Sequence, residues 1–535
     1  MRTNYIAFFL LSLLIIIISS VLFAPTEKPP APTSPQNGAV KSPSPLSKQA
    51  LPGAPAEDAI SAGVSALGKR GETLTVSTPL YIASIDTMGG RVTSWELKGF
   101  RSSTAKDSGF VNVLHDTPGA PYMQPIVEGV EIPDPIPFSY DGSPDVNIES
   151  GTGEIVLTWQ SPEGIAVKKT LSFRADSYLL EQKLEVENRG AQGLEGAVVV
   201  NWYANMAPIK KESEYNRQFL ALIDSKVERK TKRPTEAVEL KGTTSWFGFS
   251  DKYFVAAFLP EVGAPATIAL APANSGDLVG LRFSYPASLF PAGGSTVTMS
   301  KMFLGPMELE LLRAAGEGLE QAINYGWVGF LARPMLTLLK GINGWFGNYG
   351  LSIIAITLII RLLFLPLTLK SMESMKAMQE KLQALKPKID EIKKKYKGDK
   401  ARENQELMQL YTSHGINPLA SLGGCLPLLI QIPVFIALYE VLLYSIELRH
   451  SSFLWVDNLA EPEHLFNIPG VGVPFRILPL VMGASWYLSQ KLTPSTPGME
   501  GPQAKIMEFM PIIFTILFWG LPSGLILYWT VSNIL

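Results

Sequence analysis

A chain of 535 residues, 46% hydrophobic but only 18% charged, is long enough for several domains and carries less charge than an ordinary soluble protein, where about a quarter of residues are charged. A formal net charge of −2 excludes a bulk field that would draw nucleic acid or anionic lipid, so any basic surface must be local. The single cysteine, Cys425, excludes an internal disulfide framework and reads as a small packing residue in an apolar run.

Residues 1–24 read as a transmembrane anchor. Tyr5 to Ala24 is an almost unbroken apolar stretch behind Arg2, close to the ~20 residues that span hydrocarbon. Val21-Leu22-Phe23-Ala24-Pro25 makes a poor cleavage site, so an uncleaved anchor with a cytoplasmic N-terminus is expected. Residues 25–71, rich in Pro, Ala and Ser, cannot bury enough apolar surface to order themselves and read as a linker. Gly63 to Arg70 nearly matches a phosphate-binding loop. Arg70 stands where a Ser or Thr would hold magnesium and no strand precedes it, so the match is rejected.

Residues 72–305 change to strands and turns. Leu74 to Ser77 and Leu80 to Ile85 alternate, and Glu154–Gln160 and Val167–Phe173 flank the turn Ser161-Pro162-Glu163-Gly164. Strands at short intervals without helices predict one exported all-β sandwich domain. Over 306–347 helix formers return; Trp327, Phe330, Leu331, Met335, Leu338 and Leu339 mixed with Arg333 and Lys340 suit either an amphipathic helix in the outer interface or a plain inter-domain helix.

The second span is 348–369, interrupted by one charge, Arg361. Residues 370–415 form a lysine-rich insert, and 416–535 hold the remaining spans: Ile416 to Leu448, Val473 to Gln490, Ile506 to Leu521, and a last one from Ser523. That last span stops at about two-thirds of the length a bilayer requires, so the rest of it and a tail are expected beyond Leu535. The fourth and fifth are short, which favours local bilayer thinning. By the positive-inside rule the lysine-rich insert is cytoplasmic, and the loop from Ile446 to Gly472, with Glu447, Asp457, Glu461 and Glu463 against Arg449, is external.

Arg361 is the residue most in need of explanation, because a charge at mid-span costs about 2.5–3.5 kcal/mol on insertion scales. Thr357, one turn earlier, is the nearby polar group on its face. Two readings stay open: an arginine facing a water-filled cavity, or a structural ion pair with Glu440 of the third span. Gln431, between Pro427 and Pro433, together with Gly423-Gly424, suits either a groove-bordering or a kinked packing helix. In the insert, Met375, Met378, Leu382, Leu385, Ile389, Ile392 and Tyr396 repeat every three or four residues, Lys397-Gly398-Asp399 breaks the pattern, and Leu407 and Leu410 cover the seam from a second helix. A helical hairpin is expected, bent or weakened at Pro387. Its lysines Lys386, Lys388, Lys393, Lys394 and Lys395 suit RNA or lipid head groups, although a plain solvated face is the more common reason for such a run. His115, His414, His450 and His464 lack metal-ligand spacing, and Ser103-Thr104-Ala105-Lys106 is too short a match to carry a nucleophilic dyad. No enzyme, metal or cofactor is expected.

Several of these stretches resemble the YidC-type membrane protein insertases. Asn348-Tyr349-Gly350-Leu351-Ser352-Ile353-Ile354 through Thr357 and Arg361 to Pro366-Leu367-Thr368 is similar to their second span. Asn417-Pro418 and Gly423-Gly424-Cys425-Leu426-Pro427 through Gln431-Ile432-Pro433-Val434-Phe435 resemble the third. Met510-Pro511-Ile512-Ile513-Phe514 and Pro522-Ser523-Gly524-Leu525 with Tyr528, Ser532 and Asn533 resemble the last two. Trp246 with Asp251-Lys252-Tyr253-Phe254 and Pro260 resembles the exported domain. The resemblance implies an α-helical polytopic membrane core, a five-helix groove bundle plus the N-terminal anchor helix, with an inserted all-β supersandwich periplasmic domain. It implies a groove open to cytoplasm and lipid, kept wet by Arg361 and lined by Thr357 and Gln431. A greasy slide is implied on the third and fifth spans, at Pro427, Ile432, Pro433, Pro511 and Phe514, and a docking role for the hairpin lysines. Implied partners are nascent membrane proteins, the Sec translocon, the ribosome and signal recognition particle pathway, and the lipid bilayer of the bacterial inner membrane. No small-molecule substrate or sequence-specific nucleic acid is expected. A secondary transporter would show repeated halves, and no such repeat is visible; a sugar-binding or sugar-modifying domain would need clustered carboxylates and aromatics in a pocket and would leave the hairpin and Arg361 unexplained.

Overall fold

The computed structural model describes Ile60, Val64 and residues 68–535 apart from 106, 116, 207–216, 262–264, 274–275, 415–425, 471 and 493–501. The expected anchor at 1–24 lies outside the described residues, as do Asn417-Pro418, Gly423-Gly424 and Cys425.

Two sheets build the β domain. Five strands run Phe110–Asn112, Arg91–Arg101, Tyr81–Asp86, Thr73–Ser77 and Asp145–Asn147 in spatial order, with only the last pair parallel. The second sheet has thirteen strands, all antiparallel, and its centre is Val238–Ser250. That strand pairs Val238–Thr243 with Pro265–Leu270 and then uses its second half to pair Gln218–Ile223 and Phe254–Pro260. Alternation decides the faces: in Ile165–Arg174 the residues Ile165, Val167, Lys169, Leu171 and Phe173 are all buried. Large aromatics fill the space between layers, with Trp95 stacked 3.8 Å from Tyr81 and Phe247 5.0 Å from Phe283.

The linker expected over 25–71 is not free to its end. Ile60 is buried against the thirteen-stranded sheet, its carbonyl accepting a hydrogen bond of 3.2 Å from the Tyr203 hydroxyl, and Val64 packs beside it.

Eight helices are described after the strands: α1 (Leu309–Ala315), α2 (Gly329–Phe346), α3 (Tyr349–Lys395), α4 (Lys400–Ser413), α5 (Leu426–Tyr444), α6 (Leu478–Leu492), α7 (Pro502–Leu517) and α8 (Ser523–Ile534). Helix α2 buries Ala332, Met335, Leu336 and Leu339 at helical spacing and exposes Phe330, Leu338, Trp345 and Phe346. Helix α3 runs on through Pro387, which lies inside it. At 1.5 Å per residue, 47 residues reach about 70 Å, twice a hydrocarbon core, so the helix that forms the first arm of the hairpin has length to spare for a span. It is the one helix among the described residues long and apolar enough to cross a membrane; Gln431–Tyr444 and Glu508–Gly520 are shorter apolar stretches. The expected fourth span starts later than Val473, which precedes a two-residue strand, Pro474–Phe475, paired with Phe466–Asn467.

Candidate functional site in the membrane helices

The start of α3 explains its motif. Asn348 caps the helix by accepting from the Leu351 amide at 3.2 Å, while its amide nitrogen donates to Ser452 O at 3.2 Å. A Cβ on Gly350 would lie 2.1 Å from Cγ of Phe453, so glycine is what lets the outer loop close on the helix.

Three turns further on, Arg361 is half-buried, and its Nη2 donates to the main-chain carbonyl of Ser532 on α8. Among the described residues no carboxylate pairs with it, and its Nε is buried without a hydrogen-bond partner. Glu440, the sequence-level candidate for an ion pair, is not its partner. Thr357 is fully buried and spends its hydroxyl on Ile353 O within its own helix, at 2.6 Å. Gln431 on α5 donates from Nε2 to the Tyr528 hydroxyl, and Tyr528 is buried. Tyr528 and Ser532 stand one turn apart on α8, so this helix supplies acceptors to both neighbours. Arg361, Gln431, Tyr528 and Ser532 therefore form one polar cluster in apolar surroundings, with Thr357 a turn away. Sequence reasoning assigned no role to Tyr528 or Ser532; the signal was a Tyr-x-x-x-Ser spacing in an otherwise apolar helix. A third contact, Asn533 Nδ2 to Ser485 Oγ at 3.2 Å, ties α8 to α6.

The apolar candidates divide. Pro427 lies in the first turn of α5, and Ile432 and Pro433 on that helix are half-buried. On α7, Pro511 is buried and Phe514 turns inward, its ring 4.8 Å from Trp486 and 5.3 Å from Phe518, within an aromatic cluster completed by Phe435 and Trp529. Of the two α7 residues that the resemblance places on the slide, Pro511 is thus buried and Phe514 half-buried. The outer face of α7 consists of Phe509, Ile512, Ile513 and Ile516, all exposed.

In the hairpin, Leu385 and Ile389 of α3 are buried against Leu407, Leu410 and Tyr411 of α4. Lys386, Lys388, Lys394 and Lys395 are exposed and Lys393 is half-buried, so the lysines cover the side away from the seam.

A family model described as the 60Kd inner membrane protein matches residues 341–535, and one described as the YidC periplasmic domain matches residues 73–338. The chain belongs to the YidC family. It is 37% identical to the membrane protein insertase YidC of Pelobacter propionicus over 98% of this chain and 96% of that one. With the insertase YidC of Syntrophus aciditrophicus it shares 35% identity, again over 98% of this chain and 96% of the relative. A solved structure of an active YidC insertase with its first transmembrane domain resolved covers 88% of this chain at 17% identity, with a TM-score of 0.35. Membership of the YidC family makes this an inner-membrane protein with a periplasmic domain. Both family matches have their inner ends within α2.

Proposed function

We propose that this chain inserts hydrophobic segments of membrane proteins into the bilayer, with Arg361 as the charge that receives the polar flank of an incoming client. The observation that carries this reading is that Arg361, among the described residues, donates to a main-chain carbonyl and pairs with no carboxylate. A carbonyl leaves the positive charge uncompensated, and an uncompensated charge at that depth demands water or an anion. The polar cluster of Arg361, Gln431, Tyr528 and Ser532, with Thr357 beside it, is thus read as the wall of a hydrated groove open to the cytoplasm.

The client's apolar face then moves along Ile432 and Pro433 of α5, near Pro427, and along the exposed Phe509, Ile512, Ile513 and Ile516 of α7. Pro511 and Phe514 stiffen α7 from behind. Release into lipid is driven by hydrophobic transfer, about 0.8 kcal/mol per buried CH₂, and calls for no hydrolysis. The N-terminus and hairpin are cytoplasmic in this reading, and clients arrive from the ribosome, the signal recognition particle pathway or the Sec translocon. The exposed lysines Lys386, Lys388, Lys394 and Lys395, with Lys393, form the docking surface.

Protease-protected insertion of a single-span client into liposomes tests the reading. The unaltered chain and Arg361→Lys are expected to insert and Arg361→Ala to fall roughly tenfold, in line with an interaction of about 1.4 kcal/mol or more. Equal insertion by all three refutes the role of Arg361 while leaving the insertase intact.

A further inference from the structure

The outer loop between α5 and α6 is not an idle connection. Lys340 on α2 lies between two carboxylates, 2.7 Å from Glu308 below the β domain and 3.0 Å from Glu447 just after α5. Both side chains of the second pair are shielded: Lys340 is 32% exposed and Glu447 10%. From Glu447 a run of hydrogen bonds continues without a gap. Its carbonyl accepts from Ser451 Oγ at 2.9 Å. Ser451 O accepts from the Leu459 amide at 2.9 Å, and Leu459 O accepts from the Gly524 amide at 2.8 Å. The Ser523 amide and hydroxyl both donate to Glu461 O at 2.8 Å. Ser523 and Gly524 open α8, where the first amides of a helix have no partner of their own. The loop is therefore the N-terminal cap of α8, and α8 is the helix whose Ser532 carbonyl holds Arg361. Ser532 lies eight positions beyond Gly524, about 12 Å of helix.

We propose that Lys340 and Glu447 are positioning residues for the insertion site: their ion pair fixes the outer loop, the loop fixes the start of α8, and α8 sets where Arg361 is held. This rests on the reading of Arg361 as the client-receiving charge. Neither residue touches a client. The pair acts at the outer face of the membrane on a group that works deep inside it, and apart from the Ser451 and Ser523 hydroxyls the connecting elements are main-chain bonds and helix. Glu308 takes no part in this route; it ties Lys340 to the β domain only.

The test uses the full chain in liposomes and two single-span clients that differ only in an acidic or a neutral polar flank. Lys340→Met, which keeps the aliphatic stem, and Glu447→Gln are each expected to lower insertion of the acidic-flank client roughly fivefold, within the range that network substitutions produce. The neutral-flank client stays unchanged, Lys340→Arg retains insertion, and Glu308→Gln has no effect. In an Arg361→Ala background Lys340→Met adds nothing, because both act on one step. Equal losses for both clients, or losses that multiply with Arg361→Ala, overturn the proposal in favour of simple destabilisation. If Arg361→Ala lowers acidic-flank insertion and Lys340→Met does not, this proposal fails alone. If Arg361→Ala has no effect on that client, the groove reading falls and takes the proposal with it.

Discussion

The clearest quantitative expectation concerns Lys169, a lysine with no exposed surface in the middle of a β-strand. Its Nζ donates to Gly89 O at 3.1 Å and Gly90 O at 2.8 Å, the carbonyls of a turn whose positive φ values of 80° and 55° suit glycine. Burial, helped by the nearby Arg91, pushes the amine down to about 7 from 10.5. The folded protein therefore binds fewer protons than the unfolded chain between those two values, so stability rises with pH across that window. Between pH 7 and pH 9 the rise attributable to Lys169 is about 2 kcal/mol, from 1.36 kcal/mol per pH unit with allowance for partial protonation at pH 7. Above pH 10 the trend reverses, because burial holds Tyr81, Tyr122 and Tyr203 above the ordinary tyrosine range and their unfolded forms ionise first. Lys169→Met removes the charge penalty but leaves two carbonyls unpaired, at roughly 1–2 kcal/mol each. The variant should lie close to the parent at pH 7 and be less stable by about 2 kcal/mol or more at pH 9. Urea unfolding of the detergent-solubilised chain, followed by the β signal in circular dichroism at both pH values, measures the difference. Parallel slopes for parent and Lys169→Met would refute the reasoning.

Other expectations follow from the outer loop, the start of α3 and the hairpin. His450 sits in the left-handed region at φ 57°, and burial, then Arg449, pushes its imidazole down to about 4. The folded loop holds it neutral, so loop stability is full above pH 6.5 and lost as pH falls towards 4; His450→Asn, which tolerates that backbone, should flatten the pH dependence of loop proteolysis. Gly350→Leu must displace the Phe453 ring and should cost about 1–3 kcal/mol in thermal unfolding, partly recovered by Phe453→Ala. Leu385→Ala with Ile389→Ala should open the seam between α3 and α4, seen as faster protease cleavage of the helical hairpin with the β domain's unfolding unchanged.

Much of this was legible because hydrophobic length and charge are local quantities. The strand alternation in Ile165–Arg174, the heptad-like seam at Leu385 and Ile389, and the isolated charge of Arg361 all sit in the sequence as patterns. The partner of Arg361 did not, since it is a main-chain carbonyl and every residue carries one. Ile60 escaped for a related reason: one apolar residue in a polar linker looks idle until Tyr203 and Gly280, distant in sequence, form its seat. Pro387 lies inside α3 and is exposed, so water can serve the Gln383 carbonyl that its missing N–H leaves free.

Which face of α7 turns inward is the feature least legible in the sequence. In a soluble helix polarity marks the outside, and a 3.6-residue period reveals which side is core. In a membrane both sides are apolar, because lipid tails are as greasy as leucine and exert no sorting force between faces. Pro511, Ile512, Ile513 and Phe514 are therefore equivalent by hydropathy, and only packing decides among them. Here the decision comes from aromatic geometry: Trp486, Phe518 and Trp529 leave a ring-sized place 4.8–5.3 Å from their neighbours that Phe514 fills, which turns Ile512, Ile513 and Ile516 outward. Phe514→Ala should thus act through α7's position, lowering thermal stability by about 1–3 kcal/mol, less than a fully buried aromatic because Phe514 is half-buried. Ile513→Ala should leave stability nearly unchanged and slow client release instead. If Phe514→Ala slowed insertion with no loss of stability, the inward assignment would be wrong.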